Sequence, residues 1–254
     1  MHILFRCAIA TILVMCGLMS SPVYAGEVSI AVASNFAAPM ERIVALFQKE
    51  SGLSVKVSLG ASGKLYEQIK GGAAFDAFLS ADEEIPKRLQ QEGLAVNGSR
   101  FVYATGRLVL WSAQPDFVDD KGAVLNMGNF NKLAIADPRY APYGVAAKET
   151  LEKLTMWNAI QEKLVKGESV TQTYQLAATE NVELALIALS QVMRDGKVTQ
   201  GSWWLVPPEL HKSIRQSAVL LSGAKDQAAV QAFFAFLKGE KAKAVIHGFG
   251  YELP

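Results

Sequence analysis

The chain has 254 residues, of which 50% are hydrophobic and 19% are charged. This composition excludes a disordered or collagen-like chain, and the length provides enough apolar material for one large domain or two small ones. With 25 basic and 24 acidic residues, the chain lacks the positive excess of a nucleic-acid-binding protein. We therefore expect a globular protein without a nucleic-acid partner.

The first 25 residues have the features of a secretory signal peptide. His2 and Arg6 precede an apolar run from Cys7 to Met19, and residues 23–25 place small side chains at the two positions that signal peptidase reads. The run is shorter than the roughly 20 residues of a membrane-spanning helix. We therefore favour cleavage after residue 25 over the alternative of an uncleaved anchor.

Both cysteines of the chain, Cys7 and Cys16, lie within this segment. The mature protein would then contain no disulfide. Met15 stands where the signal of a lipoprotein has a small residue, which argues against lipid attachment at Cys16. We expect a periplasmic protein.

Strands and helices are predicted to alternate in both halves of the chain. Strands are expected at 27–33, 55–59, 75–79, 101–104, 107–111, 133–136, 184–189 and 217–221, and helical segments at 39–51, 64–70, 143–154, 174–179, 226–237 and 242–251. The β-α-β order predicts parallel-rich sheets flanked by helices. We expect an α/β fold with two lobes and a ligand cleft between them. Lobe 1 would comprise 26–105 and 217–254, and lobe 2 would comprise 106–216.

Three short junctions between a strand and a helix are rich in small or polar residues, at 34–35, 61–63 and 142–144. A helix N-terminus leaves backbone N–H groups unpaired and carries partial positive charge, so it can hold an anion without Lys or Arg. A site built of donors alone favours a fully deprotonated dianion over a protonated phosphate. The alternative interpretation is that Ser34, Asn35 and Ser62 only cap their own helices.

Catalytic and metal-binding patterns are weak in this sequence. Residues 60–64 do not form G-x-S-x-G, because the fifth residue is lysine. A catalytic arrangement of Ser62 with His211 or His247 is arithmetically possible, but no motif supports it. The carboxylates at 82–84 are more typical of a helix start than of a metal site. We therefore expect no enzyme activity and no bound cofactor or metal cation.

Five segments occur in order along the chain: 31–36 (AVASNF), 60–66 (GASGKLY), 75–82 (FDAFLSAD), 137–144 (DPRYAPYG) and 183–191 (ELALIALSQ). Together they resemble the periplasmic molybdate-binding proteins of ABC transporters, and the likeness covers essentially the whole chain after residue 25. The resemblance implies the two-lobed type II solute-binding fold. It also implies binding of molybdate or tungstate in the cleft, delivery to a membrane permease, and action as a monomer.

The resemblance further implies which residues hold the anion. Ser34 and Ser62 would donate hydroxyl and backbone hydrogen bonds from lobe 1, and Asn35 matches a ligand position of the subgroup that this chain resembles most. Tyr143 and Val170 would donate backbone N–H groups from lobe 2. The ligand would be held as an oxyanion, so no residue would coordinate a metal cation directly.

One departure from the family pattern affects this site. Some members place a tyrosine hydroxyl on the oxyanion where this chain has Ala188, so that contact would be absent and Asn35 would substitute for it. The resemblance also implies hinge motion near 104–107 and 213–217. An alternative is that the same fold binds another anion, such as sulfate, a phosphonate or a small organic anion. A carboxylate ligand would need a guanidinium in the cleft, for which Arg139 is the candidate.

Overall fold

Two five-stranded sheets form the framework of the protein in a computed structural model, which describes residues 27–254. The predicted signal peptide lies outside the described residues. The strands are β1 (Glu27–Ala33), β2 (Ser54–Gly60), β3 (Ala77–Leu79), β4 (Phe101–Gly106), β5 (Leu108–Ser112), β6 (Leu133–Ala136), β7 (Leu164–Gly167), β8 (Leu184–Ala188), β9 (Met193–Arg194), β10 (Lys197–Val198), β11 (Ser202–Leu205) and β12 (Ile214–Leu220). The helices are α1 (Ala37–Ser51), α2 (Ser62–Lys70), α3 (Glu84–Gln91), α4 (Ala123–Met127), α5 (Pro142–Lys153), α6 (Val170–Ala178), α7 (Gln227–Leu237) and α8 (Glu240–Gly248).

The two sheets have the same design. The strand order is β2-β1-β3-β12-β4 in the first and β11-β5-β8-β6-β7 in the second. In each sheet three neighbouring strands are parallel, and the fourth strand, β12 or β5, runs antiparallel to the neighbours on both of its sides. The helices that follow the parallel strands therefore start at one edge of each sheet. The predicted α/β fold with two parallel-rich, helix-flanked sheets is confirmed.

The chain crosses from one sheet to the other twice, between β4 and β5 and between β11 and β12. We use lobe 1 and lobe 2 for the parts of the chain built around the first and the second sheet. The predicted lobe limits at 105/106 and 216/217 lie close to these crossings and stay a prediction.

Burial explains why these strands are apolar. Ile30 and Val32 of β1 pack on one face of the first sheet, in a cluster with Phe47 of α1 and Phe233 of α7. Ala31 points to the other face, as the alternation of side chains along a strand requires. All residues of β8 are buried, because helices cover the second sheet on both sides.

Some predicted elements differ from the observed ones. Helix α6 begins at Val170, earlier than predicted, because the Ser169 hydroxyl caps it by accepting the N–H of Gln172 at 3.3 Å. Helix α8 ends at Gly248 instead of residue 251, because Gly250 adopts a φ of +82° and turns the chain back. Strands β7, β9, β10 and β11 and helix α4 have no counterpart among the predicted elements. In residues 27–254, no helix combines the length and the apolar character that crossing a membrane requires.

Candidate functional site

A small cavity lies between the two lobes, where β1, β2, β6 and β7 end. Its free volume is about 10 Å³, far below the roughly 300–1,000 Å³ of clefts that hold organic ligands. The lining residues are Ala33, Ser34, Asn35, Gly60, Ala61, Ser62, Ala81, Ala141, Pro142, Tyr143 and Val170. The structure therefore brings all five sequence-predicted ligand residues to one cavity.

Four helical segments begin at this cavity. They are a 3-10 turn that starts at Ser34, α2 at Ser62, α5 at Pro142 and α6 at Val170. The first N–H groups of a helix have no carbonyl partner within that helix, and they carry its partial positive charge. Two such ends come from each lobe, so a small anion placed here would meet backbone donors from both sides.

The hydroxyls of Ser34 and Ser62 do not cap these helical segments. The N-cap residues are Ala33 and Ala61, and neither end has a side-chain cap hydrogen bond. The alternative that these two serines only cap their helices is therefore wrong. Both serines are buried and line the cavity.

Ser62 is oriented by a residue that the sequence analysis did not identify. Its Oγ accepts the backbone N–H of Ala81 at 3.0 Å, so the Ser62 hydroxyl can still donate its own proton to another group. Ala81 follows β3 and lies in one of the five segments that carry the family resemblance. That resemblance was the only signal in the sequence that could have found it.

The side-chain amide of Asn35 is engaged by other residues of the protein. Its Nδ2 donates to Oε1 of Gln216 at 2.9 Å and to the hydroxyl of Tyr251 at 2.8 Å. Both amide protons are thereby used, so the group that Asn35 can offer an anion is its backbone N–H. Ala188, where some family members have tyrosine, is fully buried. The Asn35 amide supplies no side-chain N–H to replace that hydroxyl.

No charged side chain lines the cavity within the described part of the chain. Arg139 borders a wider neighbouring opening, the outer cleft, which has a volume of about 410 Å³ and is also lined by Asp82, Glu83 and Arg215. The Arg139 guanidinium binds Asp137, with Nη2 at 2.6 Å from Oδ2. This ion pair holds the pKa of Asp137 below its ordinary value. Arg139 is therefore already paired outside the cavity.

Asp82 lies beside the site, at the start of α3. Its Oδ1 accepts the N–H of Ile85 at 2.9 Å. Burial is the main reason that its pKa rises from 3.8 to about 6. The adjacent Glu83 pairs with Arg215 at 2.6 Å. The acidic stretch is a helix start, as its pattern favours, although Asp82 is more buried than a solvated helix end would be.

Ser62, His211 and His247, which the sequence allowed as a catalytic arrangement, each have other surroundings. Nδ1 of His211 lies 2.7 Å from the carbonyl oxygen of Lys212, and His247 is exposed on α8. Ser62 has the backbone of Ala81, and no histidine, as its recorded partner. Within residues 27–254, no group of three or more His, Cys, Asp or Glu side chains is arranged to hold a metal ion.

Hydrogen bonds join the two lobes across the cavity. The N–H of Gly63, at the start of α2, donates to the carbonyl oxygen of Tyr140 at 2.8 Å. Oγ1 of Thr171 in α6 donates to the carbonyl oxygen of Ser34 at 3.1 Å. The lobes are thus in direct contact around the site, which is the closed arrangement of a two-lobed fold.

Comparisons with known proteins agree with this architecture. A family model described as bacterial extracellular solute-binding protein matches residues 28–252. The molybdate-binding protein ModA of Azotobacter vinelandii is 51% identical over 237 residues, which cover 93% of this chain and 94% of the relative. ModA of Rhodobacter capsulatus is 47% identical over 243 residues, covering 95% and 94%.

A solved structure, that of an Azotobacter vinelandii periplasmic molybdate-binding protein, superposes with a TM-score of 0.87 at 38% identity. It covers 89% of this chain and 99% of the other. The chain therefore belongs to the bacterial extracellular solute-binding proteins and, within them, to the ModA family.

Proposed function

We propose that this protein is the periplasmic solute-binding component of an ABC importer, which binds molybdate or tungstate in the cavity between the lobes and delivers it to a membrane permease. One observation carries the proposal. The cavity is lined by the first residues of three α-helices and of one 3-10 turn, two of which are serines, and no charged side chain of the described residues lines it. Full-length relatives named as molybdate-binding proteins support the same assignment.

The donor set favours a small dianion. Such an ion accepts hydrogen bonds at every oxygen, and the lining offers N–H and O–H donors from both lobes. A protonated oxyanion would need an acceptor for its own O–H, and no carboxylate of the described residues lines the cavity. A buried O–H without an acceptor would weaken the binding of that ion by about 1–3 kcal/mol. We expect size to add to this selection, because donors spaced for the long metal–oxygen bonds of molybdate could not all reach a smaller sulfate at once.

Binding is coupled to closure of the lobes. The donors of Ser34 and Ser62 belong to lobe 1, and those of Tyr143 and Val170 belong to lobe 2. An anion contacts all of them only when the lobes are shut, so it stabilises the closed form by its differential affinity. The permease would then receive the anion from this closed form. We expect the protein to act as a monomer and to have no enzyme activity and no cofactor.

Calorimetric titration of the purified protein with molybdate, tungstate, sulfate and phosphate tests the proposal. We expect molybdate and tungstate to bind with dissociation constants between micromolar and nanomolar, which corresponds to about 8–12 kcal/mol. Several charge-assisted hydrogen bonds of about 1.5–3 kcal/mol each can supply this free energy. Sulfate binding as tight as molybdate binding would reject the selectivity, and no binding of any of the four anions would reject the function.

A further inference from the structure

A buried network of polar side chains lies directly behind the anion cavity, with Gln216 of β12 at its centre. Its Oε1 accepts from Nδ2 of Asn35 at 2.9 Å and lies 3.0 Å from the Tyr103 hydroxyl. Its Nε2 donates to the hydroxyl of Tyr143 at 3.3 Å. Gln216 itself is completely buried, and the other three side chains are at most 4% exposed. One amide therefore contacts two ligand-position residues, one from each lobe.

The second branch of the network fixes the backbone of Asn35. The Tyr251 hydroxyl accepts from Nδ2 of Asn35 at 2.8 Å and lies 2.9 Å from Oγ of Ser190. Ser190 belongs to lobe 2 and donates to the carbonyl oxygen of Asn35 at 2.8 Å. Asn35 is thus held through its side chain and its carbonyl group, which fixes the 34–36 turn that begins at the cavity.

Two local features of the hinge region make room for this arrangement. The pairing of β12 with β4 shifts register between Gln216 and Ser217, so that Tyr103 is an extra residue in β4. Such a bulge changes the direction in which side chains point. At Gly106, where the chain leaves the first sheet, a Cβ atom would lie only 2.7 Å from Nε2 of Gln216. The missing side chain there allows Gln216 and Tyr143 to meet.

The hydroxyls of the network remain protonated near neutral pH. Burial raises the pKa of Tyr103 and of Tyr143 well above 10. It also raises the pKa of Tyr251. The network is therefore uncharged, and it can orient the donors of the site without adding a negative charge close to an anion.

We propose that Gln216 is a positioning residue for anion binding, which fixes the Asn35 half-site and the Tyr143 half-site relative to each other in the closed form. The proposal rests on the proposed function. Gln216 does not line the cavity, so it acts through its two neighbours. Its bond to Tyr143 and the bond between Ser190 and Asn35 both join the lobes. They therefore add to the stability of the closed form, and the population of that form sets the apparent affinity.

The test compares molybdate affinity in four variants by calorimetry. Gln216→Met keeps the length of the side chain and removes the amide, while Tyr143→Phe removes only the hydroxyl and keeps the backbone N–H that faces the cavity. We expect Gln216→Met to weaken binding by roughly ten- to a hundred-fold. Tyr143→Phe should weaken it less, and the double variant should be no weaker than Gln216→Met, because both changes remove the same bond.

Ser217→Ala is the matched control. Ser217 neighbours Gln216 in the same bulge and is fully buried, and its hydroxyl has no hydrogen-bond partner among the described residues. Its removal should leave molybdate affinity unchanged. Thermal unfolding of each variant without molybdate detects a general loss of stability. Such a loss would not by itself make the effects of Gln216→Met and Tyr143→Phe on affinity non-additive.

Different results contradict the proposed function and the positioning role of Gln216. A wild-type protein that does not bind molybdate contradicts the proposed function. A wild-type protein that binds it, together with a Gln216→Met variant of equal affinity, contradicts only the positioning role. Additive losses in Gln216→Met and Tyr143→Phe would also overturn that role, since they would show that the two residues act separately.

Discussion

The backbone N–H of Gly63, at the first turn of α2 in lobe 1, donates to the carbonyl oxygen of Tyr140 in lobe 2 over 2.8 Å. A Cβ atom on Gly63 would lie 3.0 Å from the Cα atom of Tyr140. The absence of a side chain therefore permits the two lobes to approach at the edge of the cavity.

Gly63→Ala should therefore hinder closure of the lobes without reducing the stability of the folded protein. Alanine is the better helix residue by about 0.5–1 kcal/mol, so the unliganded protein should be equally or more stable. Closure should be hindered, and molybdate should bind several-fold more weakly. Calorimetry and thermal unfolding of the unliganded variant measure the two effects, and undiminished affinity would show that the lobes can adjust at this contact.

Ser62→Ala removes the hydroxyl that, under the proposed function, donates to the anion. Loss of a hydrogen bond to a charged ligand should reduce the binding free energy by about 1.5–3 kcal/mol. The variant also deprives the N–H of Ala81 of its acceptor, so a smaller loss of unliganded stability is expected as well. Titration with molybdate measures the first effect, and an unchanged dissociation constant would leave Ser62 only its structural bond to Ala81.

Arg139→Ala should leave molybdate binding unchanged. The Arg139 side chain is 74% exposed, pairs with Asp137 and does not line the cavity. A carboxylate ligand, in contrast, would be expected to use a guanidinium. Titration of the variant with molybdate and with citrate distinguishes these alternatives, and abolished binding of either ligand would support a role for Arg139 in the site.

Asp82→Asn should remove a pH dependence of stability. The folded-state pKa of Asp82, about 6, exceeds its ordinary value of 3.8. Its stabilising contribution is therefore complete below pH 3.8 and is lost as the pH rises through 6, with a total change of about 3 kcal/mol. Asparagine can still accept the N–H of Ile85 without carrying charge.

We therefore expect Asp82→Asn to be more stable than the wild type at pH 7, and the difference to shrink toward pH 4.5. Chemical denaturation of both proteins at the two pH values measures this difference in the free energy of unfolding. The contributions of the other titrating groups cancel when the variant is compared with the wild type. A difference that stays constant with pH would contradict the raised pKa.

The sequence by itself determined the local structure of this protein, namely its strands, its helices and the junctions between them. The apolar alternation of β1, the glycine that ends α1 and the small polar residues at 34–35 and 61–63 are short-range signals, and they predicted the alternating α/β order and the strand-to-helix junctions. The family resemblance then identified five residues that the fold places around one cavity. The strands and junctions can be predicted from the sequence because helix ends and strand patterns depend on residues that are close together in the chain.

Only the tertiary structure decided how those junctions are oriented. Ala81 orients Ser62 from 19 positions away. Gln216 and Tyr251 hold Asn35 from 181 and 216 positions away. Neither Gln216 nor Tyr251 belongs to a local motif that indicates its role, because their contacts arise from a strand bulge, a glycine at the lobe crossing and a chain end that returns to the first sheet. Hydrogen bonds between residues so far apart follow from packing of the whole chain, which no local pattern in the sequence encodes.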